Sequence, residues 1–409
     1  MKNTTIDEQI AIFMRGSEFG DAQVKEAMTQ ELRQRLLEAQ TERYHLRVYC
    51  GYDATKPDLH LGHTVTMRKL RQFQDFGHDV TFLIGDFTTR VGDPSDKDNL
   101  RPQLREEEIA KNARTYAEQA FRVLDPKRTH VRYNSDWLSK LSLADMIKLA
   151  SNFTVQQFLA RENFQIRLAK NEPIWLHELF YALLQGYDAV ALRADVQIGA
   201  TEQLFNLLAG RRLQEALGQR PQVCITFPIL LGTDGHTRMS KSAGNYIGIT
   251  EPPDDIYGKV MSIPDEAMSN YFNLVTRWTP EYIAQLETEL AAGRVHPMDG
   301  KKRLAWEIVD CYYGNEAADA AAQHFERVHQ QRQLPEQIRP FPISEPITVL
   351  ELLVITGLCK SKSAGRRLVE QGGVKLDGKP LESVDLVVTP GDYVLQVGKR
   401  GFVRLVLAK

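Results

Sequence analysis

The chain has 409 residues, 43% of them hydrophobic and 25% charged, which suits a folded protein of about two or three domains. A net charge of −2 argues against a uniformly basic nucleic-acid binder, though it leaves room for a local basic patch. The four cysteines, Cys50, Cys224, Cys311 and Cys359, stand far apart with no CxxC pair. That spacing favours free thiols in a reducing cytosol over a disulfide framework or a zinc site. No apolar run reaches membrane-spanning length, and the polar start MKNTTIDEQ does not read as a secretory signal, so the expected setting is cytoplasmic, with no membrane partner.

In chain order, Asp21–Gln40 carries Val24, Met28, Leu32 and Leu36 at helical spacing. A strand is predicted at Leu46–Cys50, then a helix over His60–Phe76. The stretch between and into them, YCGYDATKPDLHLGH, joins strand end, glycine, acidic turn, proline and helix start. Backbone N–H groups at such a helix N-terminus can meet a phosphate. His60 and His63 stand three apart, hence on one helix face, and Gly62 between them leaves the backbone open to a flat ligand. Alone, this motif also fits an ordinary strand–turn–helix with two surface histidines.

Val80–Gly85 reads as a buried strand, Arg90–Pro102 as a polar loop, Leu104–Val123 as a helix with acids in its first turn, and Thr129–Tyr133 as a strand. Strands alternating with helices predict a doubly wound parallel α/β sheet, Rossmann-like, whose ligands sit beyond the carboxyl ends of the strands. Cys50–Asp53 and Asp86–Asp93 both follow strands and share that crevice. A mainly helical insert is expected at Leu141–Gly186. Its last helix puts Tyr181, Gln185 and Asp188 near one face among Trp175, Leu179, Leu183 and Leu184, an unusual polar set for a core. Next come VQIGATEQLFN, read as strand, turn and helix, and a strand at Val223–Phe227. The loop GTDGHTRMSKSAGNY then sets Arg238 and Lys241 among turn residues, where a mobile basic loop can close on a polyphosphate.

From residue 251 to about 333 the pattern is all helical, punctuated by Pro252, Pro264 and Pro280. Leu334–Pro346 holds four prolines without apolar periodicity and reads as a linker. Ile347–Lys409 reads as a small α+β domain, two short helices followed by strands at Leu386–Val388, Tyr393–Val397 and Phe402–Leu407. It carries ten Lys/Arg against six Asp/Glu, a net +4 within a chain of −2, which suits docking on a phosphate backbone. The expected organisation is therefore an α/β domain over 1–250, a helical domain over 251–333, a linker over 334–346 and a small basic domain over 347–409.

HLGH at the first helix of a doubly wound sheet and RMSKS in a late loop, about 175 residues apart, resemble the two nucleotide-binding motifs of class I aminoacyl-tRNA synthetases. YCGYD, GDPS and YxxxQxxD between them resemble the bacterial tyrosyl-tRNA synthetases. SKSAGRRLVEQGGVKLDG is similar to the small RNA-binding domain that those enzymes share with a ribosomal small-subunit protein. The resemblance implies a catalytic domain over 1–250, an anticodon-binding domain over 251–333 and an RNA-binding domain over 347–409, with ATP with Mg²⁺ and L-tyrosine as substrates, tRNA(Tyr) as partner, no DNA, a homodimer joined through the insert, and no resident metal.

It further implies that His60, His63, Arg238 and Lys241 stabilise the phosphates. Thr55 adds a donor, as does Thr66, and Lys97 and Arg101 close over pyrophosphate. Tyr49 and Asp188 would meet the phenol. Asp93, Tyr181 and Gln185 would meet the α-ammonium, with Gln203 near them. Gly51, Asp53, Gly62 and Met239 would line the nucleotide, and Cys50 and Glu202 the ribose. Glu202 and Ala200 stand where the family often has Asp and Gly, and Arg238 where Lys is common, which changes donor geometry. The competing readings are a tryptophanyl-tRNA synthetase and a catalytically silent RNA-binding relative.

Overall fold

The five-stranded parallel sheet has the order β3-β2-β1-β4-β5, formed by Arg47–Tyr52 (β1), Asp79–Ile84 (β2), Thr129–Tyr133 (β3), Val196–Ala200 (β4) and Val223–Phe227 (β5). The computed structural model describes residues 4–55, 57–95, 105–330, 338–381, 383–398 and 401–407. Central strands of a parallel sheet are covered on both faces and run apolar without a break. β5, VCITF, is buried at every position, and Val48–Cys50 of β1 likewise. The chain winds outward through β2 and β3 on one side of β1, then returns to place β4 and β5 on the other. The order reverses between β1 and β4, and a crevice opens at their carboxyl ends.

β1 extends two residues beyond the expected Cys50, to Tyr52, because Gly51 and Tyr52 stay in register with Leu83 and Ile84. The helix after it spans Leu61–Asp75, with His60 as N-cap. Tyr312 Oη lies 3.0 Å from Thr64 Oγ1 and pins the back of this helix to Pro297–Tyr313, one of five α-helices between Pro253 and Phe325 among the described residues. The insert holds Leu143–Ala150, Val155–Leu159 and Glu162–Ala169. Its last helix, Leu176–Leu192, does not stop at Gly186. A Cβ there would come within 3.1 Å of Gly210 N and Leu213 Cδ1. That glycine marks a close crossing with Leu204–Ala216 rather than a helix end.

The chain divides into two compact units, 1–322 and 323–409. The second begins inside the stretch that composition assigns to the helical region. It has a sheet of order β6-β12-β11-β8-β9 and a separate pair β10-β7, built from Pro340–Ile343 (β6), Ile347–Thr348 (β7), Val374–Leu376 (β8), Lys379–Pro380 (β9), Val387–Val388 (β10), Tyr393–Val397 (β11) and Gly401–Leu407 (β12). Helices Val349–Ile355 and Lys362–Glu370 share its core through Leu352, Leu353 and Val369.

β6 corrects the linker expectation for residues 340–343. It lies at the sheet edge and pairs in parallel with β12. Arg404 N–H donates to the Arg339 carbonyl, so odd-numbered residues face the partner while Pro340 and Pro342 turn their N side outward. Prolines are tolerated on an edge in that parity, and they hide the strand from periodicity.

Candidate active site

One cavity lies beyond the carboxyl ends of β1 and β4, wholly within the first unit. Its wall includes Cys50, Gly51, Asp53 and Thr55 after β1, and His60, Gly62, His63 and Thr66 of the following helix. Asp93, Tyr181, Gln185 and Asp188 line it as well, as do Glu202, Gln203, Arg238 and Met239. Four further positions singled out in the sequence, Lys241 among them, lie elsewhere, or outside the described residues. Lys97 and Arg101 fall among residues not described. Tyr49 is buried, but it packs against Leu83, Ala189 and Ala194 and borders a separate hollow with Arg47 and Asp79. Residues two apart share a face of the sheet, so Tyr49 lies on the face of Gly51 and of Leu83 opposite it, both of which line the cavity. Burial and then the charge of Asp188 push the titration of its hydroxyl well up.

At one end the two imidazoles cap their own helix. His60 Nδ1 accepts from Gly62 N–H at 3.2 Å, and His63 Nδ1 accepts from His60 N–H at 3.2 Å. The ring centroids are 3.9 Å apart. A Cβ on Gly62 would sit 3.0 Å from the His60 ring, so the glycine is required by the ring itself. Burial pushes His63 down to about 4, with Arg238 and Lys241 adding to the effect, so it is neutral at pH 7. Backbone bonds from Leu61 N–H to Ile247 O and from Ile249 N–H to Leu59 O stitch the end of the basic loop to this helix. Lys241 Nζ does not line the cavity wall; it pairs with Asp58. Arg238 Nη1 stands 3.3 Å from Glu202 Oε1, so two of the three positions that depart from the family pattern pair with each other.

At the other end, Asp188 is 2% exposed. Its Oδ1 accepts from Trp137 Nε1 at 2.8 Å and its Oδ2 from Asn134 Nδ2 at 3.2 Å. Burial pushes this carboxyl up to about 8 against those two donors. Asp93 Oδ1 accepts from Ser95 N–H (2.9 Å) and Ser95 Oγ (2.6 Å), and its Oδ2 from Gln203 Nε2 (2.9 Å). Gln185 Oε1 accepts from Asn206 Nδ2 at 2.9 Å.

Tyr181 Oη donates to Asp53 Oδ2 at 3.2 Å, and Thr88 Oγ1 donates to Asp53 Oδ1 at 2.8 Å. In this state, then, Tyr181 is engaged with the carboxylate after β1. Thr66 Oγ1 lies 2.8 Å from Tyr52 Oη and donates to the His63 carbonyl. The Cys50 thiol is pushed up to about 11 by burial and stays protonated.

Sequence reasoning missed Asn134, Trp137, Ser95, Arg161 and Asn206. The first two directly follow β3, and the rule that ligands gather beyond strand ends would have flagged them. Among the described residues, no group of three His, Cys, Asp or Glu side chains is placed to hold a metal ion, and no helix is long and apolar enough to cross a membrane.

The family described as tRNA synthetases class I (W and Y) matches residues 41–330, and the S4 domain matches 350–394. A tyrosine–tRNA ligase of Thermotoga maritima is 46% identical over 402 residues, 98% of each chain. One of Moorella thermoacetica is 51% identical over 362 residues, 88% of each. The crystal structure of a tyrosyl-tRNA synthetase from Archaeoglobus fulgidus, complexed with L-tyrosine, has the same fold, with a TM-score of 0.60 at 23% identity over 78% of this chain and all of that one. The fold, the cavity between the two motifs and near full-length kinship agree: the chain belongs to the class I aminoacyl-tRNA synthetases of the tryptophan and tyrosine group, among the tyrosine–tRNA ligases.

Proposed function

We propose that this ligase divides its work between the two ends of the cavity. Its substrates are tyrosine, ATP and tRNA. The tyrosine carboxylate attacks the α-phosphorus of ATP and expels pyrophosphate. A terminal ribose hydroxyl of tRNA(Tyr) then takes the tyrosyl group and AMP leaves. No protein nucleophile is needed, so the chain's contribution is positioning and stabilisation of charge on phosphorus. His60 and His63 donate to the phosphate oxygens, with His63 uncharged. Lys241 and Arg238 leave Asp58 and Glu202 to grip the outer phosphates, joined by Lys97 and Arg101 from the polar loop. Thr55 and Thr66 supply further hydroxyls. Gly51, Asp53, Gly62 and Met239 flank the nucleotide, and Cys50 and Glu202 its ribose. Mg²⁺ enters with ATP on the nucleotide's own phosphates, as part of the substrate.

Asp188 meets the phenolic hydroxyl, and Tyr49 backs it from the same face of the sheet. Asp93 and Gln185 receive the α-ammonium, with Gln203 orienting Asp93 and Tyr181 swinging from Asp53 to join them. A buried carboxyl group committed to a hydroxyl disfavours phenylalanine, which leaves it unpaired. Tyrosyl-tRNA synthetases are themselves the standard illustration of that penalty.

The observation that carries the reading is that Asp188 and the paired imidazoles share one cavity. Tyrosine-dependent exchange of labelled pyrophosphate into ATP tests it, with tryptophan as control; exchange with tryptophan alone would overturn it.

The insert leaves Leu143, Ile147, Val155, Trp175 and Leu176 at least half exposed, an apolar set suited to a second copy of the chain in a homodimer. Sedimentation of the full chain against an Ile147→Glu variant checks this, the variant sedimenting as a monomer. The basic C-terminal unit is assigned to the tRNA backbone, and the enzyme to the cytoplasm.

A further inference from the structure

The Asp93 carboxylate is the outer member of a buried chain that no expectation included. Ser95 Oγ donates to Asp93 Oδ1 at 2.6 Å, and itself receives Arg161 Nη2 at 2.6 Å and Asn206 Nδ2 at 3.2 Å. Arg161 is 8% exposed, with its guanidinium between the rings of Phe164 (5.3 Å) and Phe205 (4.9 Å). A cation taken out of water needs an anion or aromatic faces in compensation. Here the rings supply part of that, and the nearby charge of Asp93 opposes the effect of burial on the guanidinium. Arg161 forms no direct pair with Asp93; one serine hydroxyl relays between them. From the same segment, Asn163 Nδ2 donates to the Pro94 carbonyl at 2.8 Å, so residues 161–163 grip the Asp93–Ser95 turn twice.

A carboxylate that must receive an ammonium has to be ionised and turned into the cavity. The relay does both without filling the space, because the cation approaches from behind. A direct Arg–Asp ion pair would occupy the oxygens that the ammonium needs.

We propose that Arg161 is the positioning residue of the ammonium receptor: through the Ser95 hydroxyl it holds Asp93 toward the bound amino acid, and so sets how strongly tyrosine is selected by its amine. This rests on the assignment of Asp93 to the α-ammonium made above. The effect falls on the KM for tyrosine and leaves ATP alone, although both substrates share the cavity.

The test uses the full-length enzyme and two ligands: tyrosine, and desaminotyrosine as a competitive inhibitor that keeps phenol and carboxylate but lacks the amine. In pyrophosphate exchange, Arg161→Met raises the KM for tyrosine about tenfold to a hundredfold, the range of a lost charge-assisted hydrogen bond. The KM for ATP and the Ki of desaminotyrosine stay within about twofold, as uncoupled sites do. Ser95→Ala, a smaller change that spares the buried cation, gives the same pattern, and the double variant is no worse than Arg161→Met. Arg161→Lys restores part of the loss.

A parallel rise in all three constants, or a fall in kcat alone, makes Arg161 a support of the fold and overturns the proposal. Additive losses in the double variant overturn the relay through Ser95. Asp93→Asn separates the two levels. If it weakens tyrosine and desaminotyrosine alike, the ammonium assignment itself falls; if it weakens tyrosine alone while Arg161→Met and Ser95→Ala do not, only the relay falls.

Discussion

The Asp188 end and the imidazole end of the cavity, proposed for the amino acid and the phosphates, are built on opposite plans. At the first, Asp188 is buried and held by Trp137 and Asn134, and Asp93 by Ser95 and Gln203. Both carboxyl groups are held before any ligand arrives. At the second, the charges stand near solvent and are held by counter-charges on other segments, Lys241 by Asp58 and Arg238 by Glu202. Exposed pairs of that kind contribute about 0–1 kcal/mol and exchange partners readily. A rigid receptor suits a choice among amino acids, which rewards unpaired-group penalties. Exchangeable pairs suit a triphosphate that must be gripped during the reaction and released as pyrophosphate.

The comparison breaks first at Lys241 and His63. Each replaced by alanine should lower the single-turnover rate of adenylate formation by about 10²–10³-fold, as for other donors to a developing oxyanion, with ground-state ATP affinity little changed. Equal losses in rate and affinity would make the phosphate end a ground-state binder.

Next comes Asp188→Asn, expected to weaken tyrosine use by about tenfold to 10²-fold while sparing ATP, the scale of mispairing a buried hydrogen-bonding group. The same variant tests the buried plan through stability. The folded carboxyl titrates near 8 against an ordinary 3.8. Between those values the folded state binds a proton that the unfolded state does not, so stability falls as pH rises through that window and levels off above it. Thermal unfolding from pH 5 to 9 should lose that component of the slope in the asparagine variant. An unchanged slope would show that Asp188 is not strained by burial.

Smaller still is Asp58→Asn. Freed of its partner, Lys241 meets ATP without a competitor, and the KM for ATP should fall by about twofold to fivefold. A loss of activity would give Asp58 a part beyond holding the lysine. The smallest effect belongs to Glu202→Asp with Arg238→Lys. A double-mutant cycle on the KM for ATP should show coupling below about 1 kcal/mol, as expected for a pair near solvent.

Much of the molecule is legible in the sequence where local signals are strong. Thr129–Tyr133, Val223–Phe227 and Tyr393–Val397 have the expected limits because turn residues bracket short apolar runs. His60 and Gly62 are legible because a helix start constrains its own chemistry. The packing of Tyr49 against Ala189 and Ala194 is not, since motif membership says nothing of which distant helix covers a strand. Pro340–Ile343 reads as linker because its prolines conceal an edge strand. Asn134, Trp137 and Arg161 are invisible for another reason. A polar residue becomes a partner only through burial against segments distant in sequence, and Asp188 lies 51 positions from Trp137. The pairing of Glu202 with Arg238 is hidden likewise, though each is by itself a visible departure from the family pattern.

The reciprocal cap of His60 and His63 has one more consequence. Both Nδ1 atoms accept backbone N–H groups, which leaves the ring proton on Nε2 of each neutral imidazole. That tautomer can give a hydrogen bond to an oxygen anion but has no lone pair left to strip a proton from water. On the proposed placement of the phosphates, an activated acyl phosphate beside the pair meets two donors and no general base from it.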